Sequence, residues 1–173
     1  MTRRLSLLVS WGCSVLSILL PVAALFFLID LSSFEQLVRN SIGLPVQWQT
    51  VSNGQWYGLW ALMALYVSIG LVGLYFLRRA FANFANGELF NLVNSRDLRR
   101  FSILLLVQAI VTPLHYALSS VLLSLNHPAG EKMLSISFGS NEMRTIGVAL
   151  VLWVMSNLLV EGSKLQTENR QFV

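Results

Sequence analysis

The chain has 173 residues, 55% of them hydrophobic and only 12% charged, with a formal charge of +4 at pH 7 and a mean hydropathy of +0.64. Soluble domains carry roughly 25% charged residues, and here the apolar residues come in blocks of bilayer length rather than amphipathic stripes, which excludes an ordinary water-soluble fold. The basic residues cluster at the ends of those blocks and read as membrane flanks rather than a nucleic-acid footprint, and the single cysteine, Cys13, excludes an internal disulfide or a multi-cysteine metal or redox motif.

Met1-Thr2-Arg3-Arg4 opens an almost uncharged run, and the first span is expected over residues 5–29. Val22-Ala23-Ala24 resembles a signal-cleavage site. The run is nevertheless too long for a signal h-region and reads as a retained transmembrane helix. Trp11 is too bulky for the small-residue stretch that precedes an acylated cysteine, and Pro21 is expected to kink the helix. In the loop 30–55, Ser32, Ser33, Glu35, Gln36, Arg39 and Asn40 suit a helical turn or two. Val46, Trp48 and Thr50 alternate with polar or small residues, the period of a short strand. Trp48, Trp56, Tyr57 and Trp60 are placed as an interfacial aromatic belt.

The second span is expected over 56–77, running on to Ala85, with Gly87 supplying a positive-φ stop. Asn94 and Asp97 have capping-box spacing ahead of the third span, 101–125. In the loop 126–142, turn residues lead into Leu134, Ile136 and Phe138 alternating with serines, a second strand signal. Ser140 or Asn141 is expected to cap the fourth span, 143–160, before a polar tail, 161–173. The expectation is thus an all-α membrane protein. It is a four-transmembrane-helix bundle forming a single domain, with a small extracytoplasmic cap in which two short strands are available to pair, resting on the helix ends.

Orientation follows from charge. Nine of the 12 Lys/Arg (positions 3, 4, 78, 79, 96, 99, 100, 164 and 170) fall on one side and three (39, 132 and 144) on the other. Positive charge is enriched on the cytoplasmic side, so both termini and the loop 78–100 are expected there.

Two passages carry a family resemblance. Asn86-Gly87-Glu88-Leu89-Phe90 with Asn94 and Leu98-Arg99, and the ending from Glu161-Gly162-Ser163-Lys164 to Gln171-Phe172-Val173, resemble a family of small four-span bacterial inner-membrane proteins known only as a domain of unknown function. The resemblance implies a bacterial cytoplasmic membrane and genes that often lie beside one for a small helix-turn-helix regulator. The family has no known catalytic residues to carry over.

Gln108, Thr112, His115 and Ser119 share one face of the third span. Such a face is a ligand or proton site centred on His115 or an interhelical hydrogen-bond seam. The seam carries more weight, since no carboxylate is expected at matching depth. Ser10, Ser14, Ser17 and Pro21 on the first span, and Ser68, Gly70 and Gly73 on the second, read as packing faces without a GxxxG. The arginine loop (Arg78, Arg79, Arg96, Arg99 and Arg100, with Phe84, Gly87 and Phe90, and Phe81 beside them) is placed against anionic lipid headgroups or as a docking surface for a cytoplasmic protein. His127 and Glu131 make only a weak metal pair. The acids, Asp97 and Glu142 among them, sit near span ends and need no purpose beyond solvation. No hydrolase, zincin or nucleotide-binding motif is present, and no cofactor or metal is expected. The leading expectation is a non-enzymatic regulatory or sensing protein that holds a cytoplasmic partner, a small transcription regulator in the family's setting. The rival is a small oligomeric transporter or channel that uses the polar face of the third span.

Overall fold

The computed structural model describes residues 2–88, 91–128 and 130–171, so Phe90 lies outside the described residues. Five helices account for most of it: α1 Thr2–Ile29, α2 Leu31–Ser41, α3 Asn53–Ala85, α4 Leu92–Ser124 and α5 Ser140–Gln171. Four of them, all but α2, are long and apolar enough to cross a membrane, which makes this a multi-pass membrane protein. A 33-residue helix such as α3 or α4 is about 50 Å long by its rise. Both therefore exceed the roughly 30 Å hydrocarbon layer and project beyond it.

Helix termini follow local chemistry. Asp30 caps α2: its carboxylate accepts from the Ser33 amide at 3.3 Å and from the Ser32 and Ser33 hydroxyls at 2.5 and 2.6 Å, satisfying donors that a helix start leaves free. At the start of α3 the Gln55 side chain reaches back to the Ser52 amide, 2.7 Å, one half of a capping box. Gly87 adopts φ 87° just past the end of α3, the left-handed stop expected of glycine there. The expected Asn94–Asp97 box is not formed. Asn91 caps α4 instead, accepting from the Val93 amide at 2.9 Å, because Asn94 and Asp97 are both drawn inward and fully buried.

The helices pack in chain order: α1 on α3, α3 on α4, α4 on α5. Among the described residues α1 meets neither α4 nor α5, and α3 does not meet α5. The expected bundle is therefore an open row. Its contacts are made by small residues: at Gly73 a methyl group would lie 3.3 Å from the Phe101 ring of α4, and at Gly58 one would lie 2.9 Å from Leu122. The close approach of α3 and α4 needs those missing side chains.

The apolar core sits at the end of the row opposite the arginines, where Phe34, Val46, Trp56, Leu59 and Leu123 are buried together. The expected aromatic belt is largely turned inward to build it. Trp56 is 4% exposed, Trp48 stacks on it at 6.3 Å, and the Trp60 indole donates to the Ala24 carbonyl, 2.8 Å; of the four rings Tyr57 is the exposed one. A buried indole needs an acceptor, and a carbonyl of α1 in the turn before Phe27 and Ile29 provides it. No strand occurs among the described residues, so the paired-strand cap is not formed. The first strand signal closes into a 3-10 turn at Trp48–Thr50. The second stays extended but bonds to α4 rather than to another strand: the Met133 amide donates to the Ser124 hydroxyl and the Ser135 amide to the Ser120 hydroxyl, each at 2.9 Å.

Candidate functional site

Two places gather polar side chains from more than one helix, and they differ in how those groups are satisfied. The first is the turn between α3 and α4. Arg79 of α3 grips Asp97 of α4 through two nitrogens, Nε at 2.5 Å and Nη2 at 2.6 Å, the fork geometry that suits a guanidinium and a carboxylate. The Asp97 side chain is 0% exposed and that of Arg79 41%, so the carboxylate is buried while its partner reaches water. Arg100 stands 3.9 Å from the same carboxylate. Beside it the Asn83 amide donates to Asn94 at 2.7 Å, and the Asn94 amide donates to the Glu88 carbonyl. Ser95 carries the network to α5, donating to the Ser156 carbonyl at 3.0 Å.

This divides the expected arginine surface. Arg79 and Arg100 are engaged within the fold, Arg100 also lying 5.2 Å over the Phe76 ring. Arg78, Arg96 and Arg99 are exposed, as is Arg100 despite its contacts, with Arg99 placed 5.3 Å over the Trp153 ring of α5. Gly87 is exposed, whereas Phe81 and Phe84 are half-buried against each other, rings 5.4 Å apart, and present little free apolar surface. Asp97, expected to be solvated, is the buried centre of the turn. The spacing of arginine and aspartate across two helices gave no local signal for it.

The second place is a cavity of about 310 Å³ half-way along α4, lined by Tyr66 of α3, Leu105, Gln108, Ala109 and Thr112 of α4, and Asn141, Glu142 and Thr145 of α5. α4 is its floor and the helices on either side are its walls. Of the predicted polar face, Gln108 and Thr112 reach it, Thr112 sharing a 3.2 Å hydrogen bond with the Tyr66 hydroxyl. His115 does not line it. That ring packs 5.2 Å from Tyr66, and its Nε2 is buried without a hydrogen-bond partner among the described residues. Ser119 is buried. The expected absence of a carboxylate at this depth is overturned by Glu142, which lines the same cavity as Gln108. Its Oε2 accepts from the Gly139 amide at 2.7 Å.

Glu142 reaches this depth because α5 is displaced along α4. The Ser95–Ser156 bond and the Arg99–Trp153 stack fix the register at the arginine end. From there Ser140, the first residue of α5, stands about 20 Å up the row, whereas the last turn of α4 stands about 37 Å up. The remaining height is spanned by the extended residues 131–139, held to α4 by Ser120 and Ser124. A pair of serines one helical turn apart is the only trace of this in the sequence, and serines are too common in membrane helices to single it out.

The weak pair His127 and Glu131 is absorbed by the fold. His127 Nε2 accepts from the Gln47 amide at 3.1 Å, Nδ1 faces the Glu131 carbonyl at 3.2 Å, and the Glu131 carboxylate accepts from the Gln47 side chain at 2.7 Å. The imidazole lone pair is thereby committed to tying the two loops together.

Compared with known proteins, the chain matches over residues 13–172 the family described as protein of unknown function (DUF2975). That covers nearly the whole chain, and the protein belongs to this family. No curated protein and no solved structure matches it.

Proposed function

For a member of a family without an assigned activity, we propose that the protein is a non-enzymatic membrane sensor, which receives a signal in the mid-row cavity and passes it to a cytoplasmic partner along α5. One observation carries this: α5 is a single unbroken helix from the cavity-lining residues Asn141, Glu142 and Thr145 to Gln171, well beyond the level of the arginines. Among the described residues α5 packs on α4 and not on α1 or α3, and a helix so anchored can shift or tilt as a rod when its upper end is loaded. The unequal distribution of basic residues supports a cytoplasmic arginine end. The partner surface is then the exposed Arg78 and Arg96 together with the emerging end of α5, while Arg79 and Arg100 hold the turn.

Photo-crosslinking in cells from positions 96 and 164 tests this. The same cytoplasmic protein should be captured from both, and its yield should change severalfold when Thr145→Trp fills the cavity. Capture of lipid alone, or a yield indifferent to Thr145→Trp, would sink the proposal. The rival transporter or channel reading is favoured by the interrupted fourth crossing, since transporters place sites where helices break. Solute flux in reconstituted vesicles that disappears with Gln108→Leu would choose it over the sensor.

A further inference from the structure

We propose that the cavity binds a monovalent cation, an alkali ion or a primary ammonium group, reached through water from the tryptophan end. This rests on reading the cavity as the place where the signal arrives, but it requires no partner.

The side-chain amides of Gln108 and Asn141 line the cavity and make no hydrogen bond among the described residues. Along the extended segment, the Met133 and Ser135 amides turn to the serines of α4. Those of Leu134, Ile136, Ser137 and Phe138 find no acceptor among the described residues. Non-helical backbone at membrane depth persists only when covered by protein or lining water. Leu134, Ile136 and Phe138 are 70%, 68% and 55% exposed, so the described residues leave this segment largely uncovered. Water along this segment would satisfy the amides, and the segment leads from the last turn of α4 to the cavity.

The chemistry of the lining selects the occupant. Every polar lining residue carries a side-chain oxygen: the Glu142 carboxylate, the Gln108 and Asn141 amides (whose NH2 groups are the only side-chain nitrogens in the lining), and the hydroxyls of Tyr66, Thr112 and Thr145. Oxygen donors suit hard cations and ammonium groups. One carboxylate matches one positive charge, and no cluster of three acids or histidines suited to a divalent metal occurs among the described residues. Gly139 occupies only Oε2 of Glu142, leaving Oε1 for a ligand. The start of α5 contributes about half a positive charge, which the full charge of the carboxylate outweighs. Arg144 is exposed two residues further on and does not line the cavity. Glu131 and Lys132, at the head of the segment, are exposed and opposite in sign.

The test places a single reporter thiol, Thr145→Cys, in the Cys13→Ser protein in intact membranes, and treats each side with impermeant methanethiosulfonates of similar size, one carrying trimethylammonium and one sulfonate. The cationic reagent should label from the tryptophan side about tenfold faster than the anionic one. Sodium or ammonium chloride should slow labelling relative to N-methylglucamine chloride of equal ionic strength. Glu142→Gln should erase both the preference and the protection. Leu105→Cys, an apolar lining position on a different helix, should repeat the pattern, which guards against a local defect in one variant. A thiol that neither reagent reaches, equal rates for the two, or no protection by either salt would overturn the proposal. Labelling can succeed while the crosslinking above fails, and the reverse, so the two readings stand or fall separately.

Discussion

α4 has two seams, and they differ in how fully they are matched. Toward α3 it is matched along most of its length, with His115 Nε2 the exception among the described residues: Gln55 donates to the Leu122 carbonyl at 2.7 Å, Tyr66 meets Thr112, Gly73 admits Phe101, and Arg79 closes on Asp97. Toward α5 the match stops half-way, giving place to a cavity and a stretch of unpaired backbone. In a medium without water a buried polar group must find a partner or lose several kcal/mol. The matched seam therefore reads as scaffold, and the unmatched one as the place kept for something that is not part of the chain.

Substitutions that treat the two seams alike should give unlike results. The largest effect is expected from Arg79→Ala, which strands a buried carboxylate. Breaking such a pair from one side costs about 3–5 kcal/mol in a dry interior, and the half-exposed guanidinium lowers this to about 2–3 kcal/mol through solvent screening. Thermal unfolding in detergent should show that loss, with Asp97→Asn costing less and the double change Arg79→Ala/Asp97→Leu recovering part of it. Next come Asn94→Leu and Gly73→Val. The first removes the acceptor of the Asn83 amide and the donor to Glu88, at about 2 kcal/mol. The second forces a branched side chain against Phe101, at about 1–3 kcal/mol.

On the other seam, Gln108→Leu should leave stability unchanged or raise it by up to about 1 kcal/mol, since it removes an amide that has no partner to lose. Cavity-dependent labelling or crosslinking should nevertheless be impaired. A drop in stability as large as that of Asn94→Leu would erase the contrast. The smallest effect concerns Asp30, at the tryptophan end. Its hydrogen bonds from Ser32 and Ser33 hold its carboxyl below the usual aspartate value. A lowered value in the folded state means that its contribution is present above the unfolded pKa and lost as pH falls through the folded one. Helicity of α2, followed from pH 5 down to pH 3, should fall in the wild type and be flatter in Asp30→Asn.

The sequence by itself determined the four long apolar helices, the basic asymmetry between their ends, the glycine stop after Ala85 and the family. These follow from local sums of hydropathy and charge, which need no knowledge of neighbours. It gave no means of seeing that Asp97 is buried, that the helices form an open row, or that Leu134, Ile136 and Phe138 lie along α4 instead of pairing with Val46 and Trp48. Those outcomes depend on bonds such as Arg79 to Asp97, Ser95 to Ser156 and Ser135 to Ser120, between residues 18, 61 and 15 positions apart. The tertiary structure alone decided the height at which α5 begins, because that register is set by which side chains meet across two helices. That height is what carries Glu142 to the side of Gln108.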